Sequence, residues 1–469
     1  MFLIAILAYL AVLVAVGISK SRQLKTGDDF LVAGRTLPAR VLVFTLLATW
    51  IGSGSLFGGA GLGYRAGFPA LWQSAGAWTG IALVYFLAHR VRRIAKYTMP
   101  DILELRYGPV ARVLGTIVVV IAYTTIAAYQ FRGGGRLLNL VADIDVTQGA
   151  LITMVFCVAF TALAGMLSVA YLDVGNGIAM LAGVGLAIGY LVFHAGGVGP
   201  AFDGLRPDQL ALFGTLDPIA DAGALFLPTM LLLMGEANMY QKFFSAKDEG
   251  AARRSVVGWI VGTIVVETMI VAVGVFGSAA IPGLSTGDSE AIVIRVAGSI
   301  LPPLLGVLLL CGAAAIIVST ANSFLLTPAS ALVRDVYQKS INPRASDRQV
   351  LLCTRLLVVA LGGVGFIVLG FFDTILAMAL WAYTMYGAAI TPALLAAFLW
   401  PRVTRAGGVA SIASGMLMTL GWEIYAREAG GYPYGLSAVY PALALSVAAL
   451  VGVSLATPKP TREELAAIS

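Results

Sequence analysis

The chain of 469 residues is 59% hydrophobic and 12% charged, with a mean hydropathy of +0.90. Soluble domains run at about 45–50% apolar and about 25% charged, so the composition excludes a soluble globular chain and indicates a polytopic membrane protein. A net charge of +6 and a pI near 9.2 fit the Lys and Arg that cytoplasmic loops collect and give no argument for nucleic acid.

Thirteen runs have the length of a membrane span, about 17–25 largely apolar residues. They centre near residues 10, 52, 79, 122, 156, 182, 235, 267, 315, 360, 385, 416 and 445. Runs this long in lipid are helices, because every backbone polar group must be paired inside the segment. Span 1, within MFLIAILAYLAVLVAVGISK, has no basic region before its apolar stretch and reads as a retained helix rather than a cleaved signal peptide.

Span 2 contains LLATWIGSGSLFGG at 46–59. No charged residue occurs from Val41 to Leu62, yet Gly52, Ser53, Gly54 and Ser55 stand at its middle, where they weaken a helix. Span 4 carries Arg132 and Arg136, span 6 starts with Asp173, span 8 carries Glu267, and span 10 carries Arg355. A charge at the centre of a span costs about 2.5–3.5 kcal/mol on insertion scales, so these residues need partners or a task. Arg355 lies near an inner end and is expected to snorkel to the headgroups. Arg136 lies near the outer interface. Arg132 and Glu267 are deeper and suit an interhelical ion pair or a site.

Span 7 has a second weak point, MGEAN at 234–238, with Gly235 ahead of the polar pair Glu236 and Asn238. Spans 2 and 7 are five apart, as expected if spans 2–6 and 7–11 are inverted repeats. Paired breaks in corresponding spans are the best sequence pointer to a transporter's midplane site. Span 9, AAAIIVSTANSFLLTPAS at 313–330, places Ser319, Thr320, Asn322, Ser323 and Thr327 in the membrane. At about 100° per residue, Ser319, Asn322 and Ser323 share one face. Neutral oxygens on one face suit a hard cation such as Na⁺; hydroxyls bonding back to the i−4 carbonyl are the plainer alternative.

Placing the N-terminus outside puts 23 of the 30 Lys and Arg in inside segments, four in outside loops and three within spans. By the positive-inside rule this predicts thirteen helices, N-terminus out and C-terminus in. It also predicts a turn at 166–170. One transmembrane domain is expected over 1–455: a first helix and basic loop (1–36), repeat one (37–195), repeat two (222–400) and two last helices (401–455). A short cytoplasmic tail follows at 456–469. The three cysteines, Cys157, Cys311 and Cys353, lie in apolar runs and offer no disulfide framework. His89 and His194 are too far apart in sequence to suggest a metal site.

Several motifs in order carry a resemblance: F-L-V-A-G-R at 30–35, A-x-x-I-G at 48–52, Q-F-R-G-G-G-R-L-L at 130–138, and Y-L-D-V-G-N at 171–176. Q-K-F-F-S-A-K-D follows at 241–248, and S-T-A-N-S with R-D-V-Y at 319–337. From about residue 1 to 455 the chain resembles the sodium:solute symporters, which include bacterial proline, pantothenate, sialic acid and sugar symporters. The resemblance implies an all-α, LeuT-like core of five plus five helices. It also implies a sodium site made by the carbonyls of Ala48, Ile51 and Ile316 and the hydroxyls of Ser319 and Thr320. Ile316 departs from the small residue usual there. Some members have a second sodium site, whose matching positions are Asp173, Ser319, Asn322 and Ser323; Asn322 stands where that pattern has serine.

The solute is expected against the two breaks, with Trp50, Ser53, Ser55 and Phe57 on span 2, Gln73 on span 3, and Glu236 and Asn238 on span 7. Arg132 is expected to hold a solute carboxylate or to pair with Glu236 or Glu267. The resulting expectation is a sodium-coupled importer of a small organic solute, such as a carboxylate or amino acid. It would sit in the cell inner membrane of a bacterium and work as a monomer by alternating access. A sugar-type sodium symporter, a proton-coupled transporter using Asp173, Glu236 or Glu267, and a membrane sensor on the same fold are the competing readings. An enzyme is disfavoured, since no metal cluster or nucleophile motif is present. The GSGS run is no dinucleotide loop either, with Phe57 in place of the third glycine.

Overall fold

The computed structural model describes residues 1–21, 33–94 and 98–461. The described chain is all helix apart from one isolated bridge, between Leu37 and Ala246. The principal helices are α1 (Phe2–Ser21), α2 (Ala39–Trp50), α3 (Ala60–Ala66), α4 (Leu71–Val84), α5 (Met99–Tyr107), α6 (Pro109–Ala142) and α7 (Val146–His194). They continue with α8 (Ala224–Gly235), α9 (Ala237–Ser245), α10 (Glu249–Ala280), α11 (Pro303–Ala331), α12 (Asp347–Val368), α13 (Ile375–Leu399), α14 (Arg405–Ala429) and α15 (Val439–Ala456).

Each predicted span centre falls in one of these helices or at a break between two. Among the described residues, nine helices are long and apolar enough to cross a membrane, or ten when α2 and the bent segment after it count as one span. The rest fall short for separate reasons. The described apolar part of α1 is Phe2–Val16, α4 has only 14 residues, and α14 has 25 residues but dilutes its apolar side chains with glycine and serine.

The predicted turn at 166–170 takes an unexpected form, because backbone hydrogen bonding is helical across all 49 residues of α7. The packing nevertheless shows that the helix doubles back. Asp173 meets Ser319, residues 179–180 meet Gly312, and Gly183 meets Leu309, an antiparallel run along α11. Continued straight, that run would bring Thr161 to about residue 331, some 13 Å beyond its partner at about 1.5 Å per residue. Instead Thr161 Oγ1 donates to Asn322 Oδ1 at 2.6 Å. The chain therefore reverses between 161 and 173, and both limbs of α7 pack on α11.

Small residues set how closely the helices approach. At Gly274 of α10, an added Cβ would collide with the Ala60 carbonyl of α3. Contact of this kind between backbones holds helices together in lipid, where apolar burial alone supplies little drive. The most enclosed helix is α11, whose residues from Leu309 to Ala331 are all buried. It is the axis around which the polar groups described next are arranged.

Candidate functional site

The GSGS segment is a real break. Helix α2 ends at Trp50, Ile51 turns to extended backbone (φ −72°, ψ 104°), and Gly54–Gly59 resumes as a wider π-helical turn. The two halves meet at 57°. A break leaves carbonyls without intrahelical donors, and α11 supplies them. Thr320 Oγ1 donates to Ala48 O at 3.1 Å and to Ile51 O at 3.2 Å, and Ser319 Oγ reaches Ala48 O at 3.5 Å. Ile316 is buried one turn earlier on α11. On the other side, Gln130 Oε1 accepts the Ser53 N–H at 2.8 Å. A Cβ at Gly52 would come within 2.8 Å of Gln130 Nε2 and 2.9 Å of Thr320 Cγ2, so only glycine lets α6 and α11 close on the break.

The second break has matching geometry. Glu236 takes φ −63° and ψ 117°, nearly the values at Ile51, between α8 and α9. Its exposed backbone ends are also met from neighbouring helices. Tyr386 OH donates to Gly235 O at 2.6 Å, and the Ala237 N–H donates to Tyr123 OH at 2.6 Å. The Glu236 carboxylate is fully engaged: it accepts from the N–H groups of Asn238 (3.2 Å) and Met239 (2.9 Å) and from Tyr123 OH (3.0 Å). It is the N-cap of α9, which leaves it no free oxygen for a solute. Asn238 Oδ1 accepts from Thr327 Oγ1, and its Nδ2 has no partner.

Below the first break lies a polar layer. Asp173 is fully buried and accepts from Ser319 Oγ and from Thr45 Oγ1. Ser323 pairs with Thr49 at 3.1 Å, and Asn322 with Thr161. The unexpected member is Lys242. The positive-inside reading puts it in an inside segment at 242–254, but it is fully buried on α9, donating to Thr45 O at 2.7 Å and to Thr49 Oγ1. Its ammonium reaches Asp173 through the shared Thr45. The only local signal was the setting of Lys242 between Gln241 and Phe243–Phe244.

The predicted solute contacts separate into two groups. Trp50 and Ser55 converge on Glu267, which was not among them, with Trp50 Nε1 donating to Glu267 Oε1 at 2.8 Å and Ser55 Oγ approaching it at 3.4 Å. Ser53, Phe57 and Gln73 are buried around the same break. Arg132 is elsewhere. Its Nη2 donates to Leu369 O at 2.6 Å, and it pairs with neither Glu236 nor Glu267. The reason is helical phase: Gln130 and Gly133 face the break, so Arg132 points off that face. Together with Arg136 and Arg295 it lines a cavity of about 1000 Å³. There Arg136 pairs with buried Glu290 at 3.0 Å, and Glu290 accepts the N–H groups of Ile375 and Leu376 at the start of α13. Arg355 Nε donates to Ala162 O at 2.8 Å, a tertiary tie rather than a headgroup contact.

Comparison with known proteins adds three findings. The sequence profile of the sodium:solute symporter family matches residues 30–415. The osmoregulated proline transporter of Bacillus subtilis (strain 168) is 27% identical over 458 residues, covering 93% of this chain and 92% of its own. A sodium/proline symporter of Staphylococcus aureus (strain bovine RF122 / ET3-1) is 26% identical over 489 residues, covering 97% and 93%. Among solved structures, a Na⁺-coupled sialic acid symporter superposes with a TM-score of 0.80 at 16% identity, over 98% of this chain and 99% of that one. A nucleobase-cation-symport-1 family transporter gives 0.62 at 12% identity, over 94% and 97%. The fold is therefore LeuT-like.

Proposed function

The chain belongs to the sodium:solute symporter family, and from that premise we propose that sodium and a small solute cross together through the paired breaks at Ile51 and Glu236. The protein is a multi-pass membrane transporter, not an enzyme, and sodium is its co-substrate. In this reading the carbonyls of Ala48, Ile51 and Ile316 and the hydroxyls of Ser319 and Thr320 hold the ion. One observation carries it: four of these oxygens lie 3.1–3.5 Å apart in pairs across the break. Two oxygens bound at right angles to a hard cation, each at about 2.4 Å, are about 3.4 Å apart. Thr320 Oγ1 now donates to the carbonyls and Ser319 Oγ to Asp173; with sodium present Thr320 rotates to offer a lone pair, and Ser319 offers one while keeping its bond to Asp173.

Order then passes from ion to solute. Sodium draws α11 and the broken end of α2 together, which fixes Trp50, Ser53, Ser55 and Phe57. With Gln73 and Asn238 they form the central solute site. Arg132 is assigned to the entry cavity, where it meets an acidic group on the way in. Release of sodium to the inside loosens the break and frees the solute. The membrane potential adds about 2.3 kcal/mol per charge per 100 mV. The matching dihedrals at Ile51 and Glu236 support the repeat of spans 2–6 and 7–11, and with it the thirteen-span, N-out and C-in topology. They also support the division at residues 37–195 and 222–400.

The second site, on Asp173, Ser319, Asn322 and Ser323, has less support. Asp173 is within reach of the Lys242 ammonium through Thr45, and Asn322 is engaged by Thr161. The polar layer supplies its own cation there, which favours one sodium per cycle. The proton-coupled reading loses Glu236 to helix capping. The proline-transporting relatives favour an amino acid or similar small carboxylate as solute. A screen of solutes by thermal unfolding in Na⁺ and in K⁺ tests the reading. Stabilisation by a solute only in Na⁺ is expected; equal stabilisation in K⁺ overturns it.

A further inference from the structure

The central site contains one buried carboxyl that no basic side chain among the described residues pairs. Glu267 of α10 is 4% exposed. Its Oε1 accepts from Trp50 Nε1 and Ser55 Oγ. Its Oε2 is buried and makes no hydrogen bond of good geometry, although the Ser74 hydroxyl and the Trp78 indole N–H lie close to the carboxylate. No Lys, Arg or His among the described residues pairs with it; its facing groups are Trp50, Ser74, Trp78 and Ser55. Asp173 has Lys242 nearby, Glu290 has Arg136, and both oxygens of Glu236 are taken up by Tyr123 and two backbone N–H groups, so Glu267 is the central buried carboxyl with neither a cation nor a full set of hydrogen bonds. Ionising a carboxyl alone in a dry site is expensive, so a cationic ligand placed against it would gain a partner that the protein does not supply.

The surroundings indicate the ligand's charge and kind. The indole rings of Trp50 and Trp78 lie beside the carboxylate, and the Tyr383 ring is 5.7 Å from that of Trp50. Aromatic faces attract organic ammonium groups. A bare metal cation wants a shell of oxygens instead, which the oxygens of Ala48, Ile51, Ser319 and Thr320 offer on the opposite side of the break.

We propose that Glu267 recognises the transported solute, its free Oε2 pairing with a positively charged nitrogen of that solute. This rests on the sodium-symport reading above and narrows it to solutes bearing an ammonium group, which excludes simple sugars and amine-free acids.

The test uses the full chain in lipid nanodiscs and two sets of probes. L-proline, L-alanine and glycine betaine carry a cationic nitrogen; tetrahydro-2-furoate, lactate and galactose do not. Binding is read by thermal unfolding and by intrinsic tryptophan fluorescence, which Trp50 and Trp78 should report. At least one probe of the first set is expected to bind in Na⁺, and none of the second. Glu267→Gln should weaken that binding about 100-fold while leaving the Na⁺ midpoint of the solute-free protein unchanged. Glu267→Asp, which withdraws the charge by one methylene, should weaken it by less, and it keeps the test open if the Gln variant does not assemble. Silence of the whole first set, sodium-dependent binding of an amine-free probe, or unaltered affinity in both variants would overturn the assignment. Loss of the sodium response itself in Glu267→Gln would place the ion at Glu267 and also overturn it. Solute binding that is equal in K⁺ and Na⁺ would instead overturn sodium coupling, whatever the variants do.

Discussion

Thr320→Val removes one hydroxyl and keeps the side chain's shape. In the wild type that hydroxyl lies 3.1 Å from Ala48 O and 3.2 Å from Ile51 O. Without sodium, its loss leaves two buried carbonyls short of a donor, at a cost of about 1–3 kcal/mol. With sodium, the ion loses one of five neutral ligands. Hydrogen bonds to charged groups are worth about 1.5–3 kcal/mol, which corresponds to a loss of sodium affinity of about 10- to 150-fold. The assay is thermal unfolding in detergent, titrated with NaCl while KCl holds ionic strength constant. At sodium equal to 100 times the wild-type Kd, the ion stabilises by about 2.7 kcal/mol. A 30-fold weaker Kd reduces this to about 0.9 kcal/mol. The variant should therefore show a shifted sodium midpoint on top of a lower baseline. A lower baseline with an unchanged midpoint would mean that Thr320 only closes the break, and the ion-site reasoning would be refuted.

Other changes probe the remaining parts. Lys242→Met should destabilise by about 3–5 kcal/mol, because it leaves Asp173 charged and uncompensated; the double variant with Asp173→Asn should recover most of that loss in the same unfolding assay. Glu236→Ala removes the cap of α9 and should cost about 1–2 kcal/mol, with a larger loss of solute binding than of sodium binding, since α9 holds Asn238. Glu290→Ala strips Arg136 of its buried partner and the start of α13 of two acceptors; a marked fall in unfolding temperature is expected, and a fall no greater than that of a Glu428→Ala change at an exposed position would discount the pair. Arg132→Ala should slow solute association measured by stopped-flow fluorescence and leave the dissociation rate nearly constant.

The features legible in the sequence are those carried by local pattern. A helix weakened by Gly52–Ser55, a second weakened at Gly235, and hydroxyls at 319, 320 and 323 can be read without knowing what they touch. Their pairing was legible because the two breaks stand five predicted spans apart. What stayed hidden depends on contacts between distant residues. Trp50 and Glu267 are 217 positions apart, and Lys242 and Thr49 are 193 apart. Nothing in either segment announces the other. Glu236 was read as a solute contact because a carboxylate in a span is conspicuous, yet the break it stands at consumes its oxygens. Arg132 was drawn towards Glu236 and Glu267 by charge alone. Its phase on α6, opposite to Gln130, decided otherwise. Lys242 passed as a loop residue because a short helix after a break resembles the end of a span.

The central claim is that α2 and α11 hold sodium between them. Equilibrium binding of radioactive sodium to the purified protein tests it most directly. Saturable binding of one ion per chain, resistant to excess K⁺ and abolished in the Ser319→Ala/Thr320→Val double variant, is the predicted result. Binding that K⁺ displaces equally, or that the double variant retains in full, would contradict it.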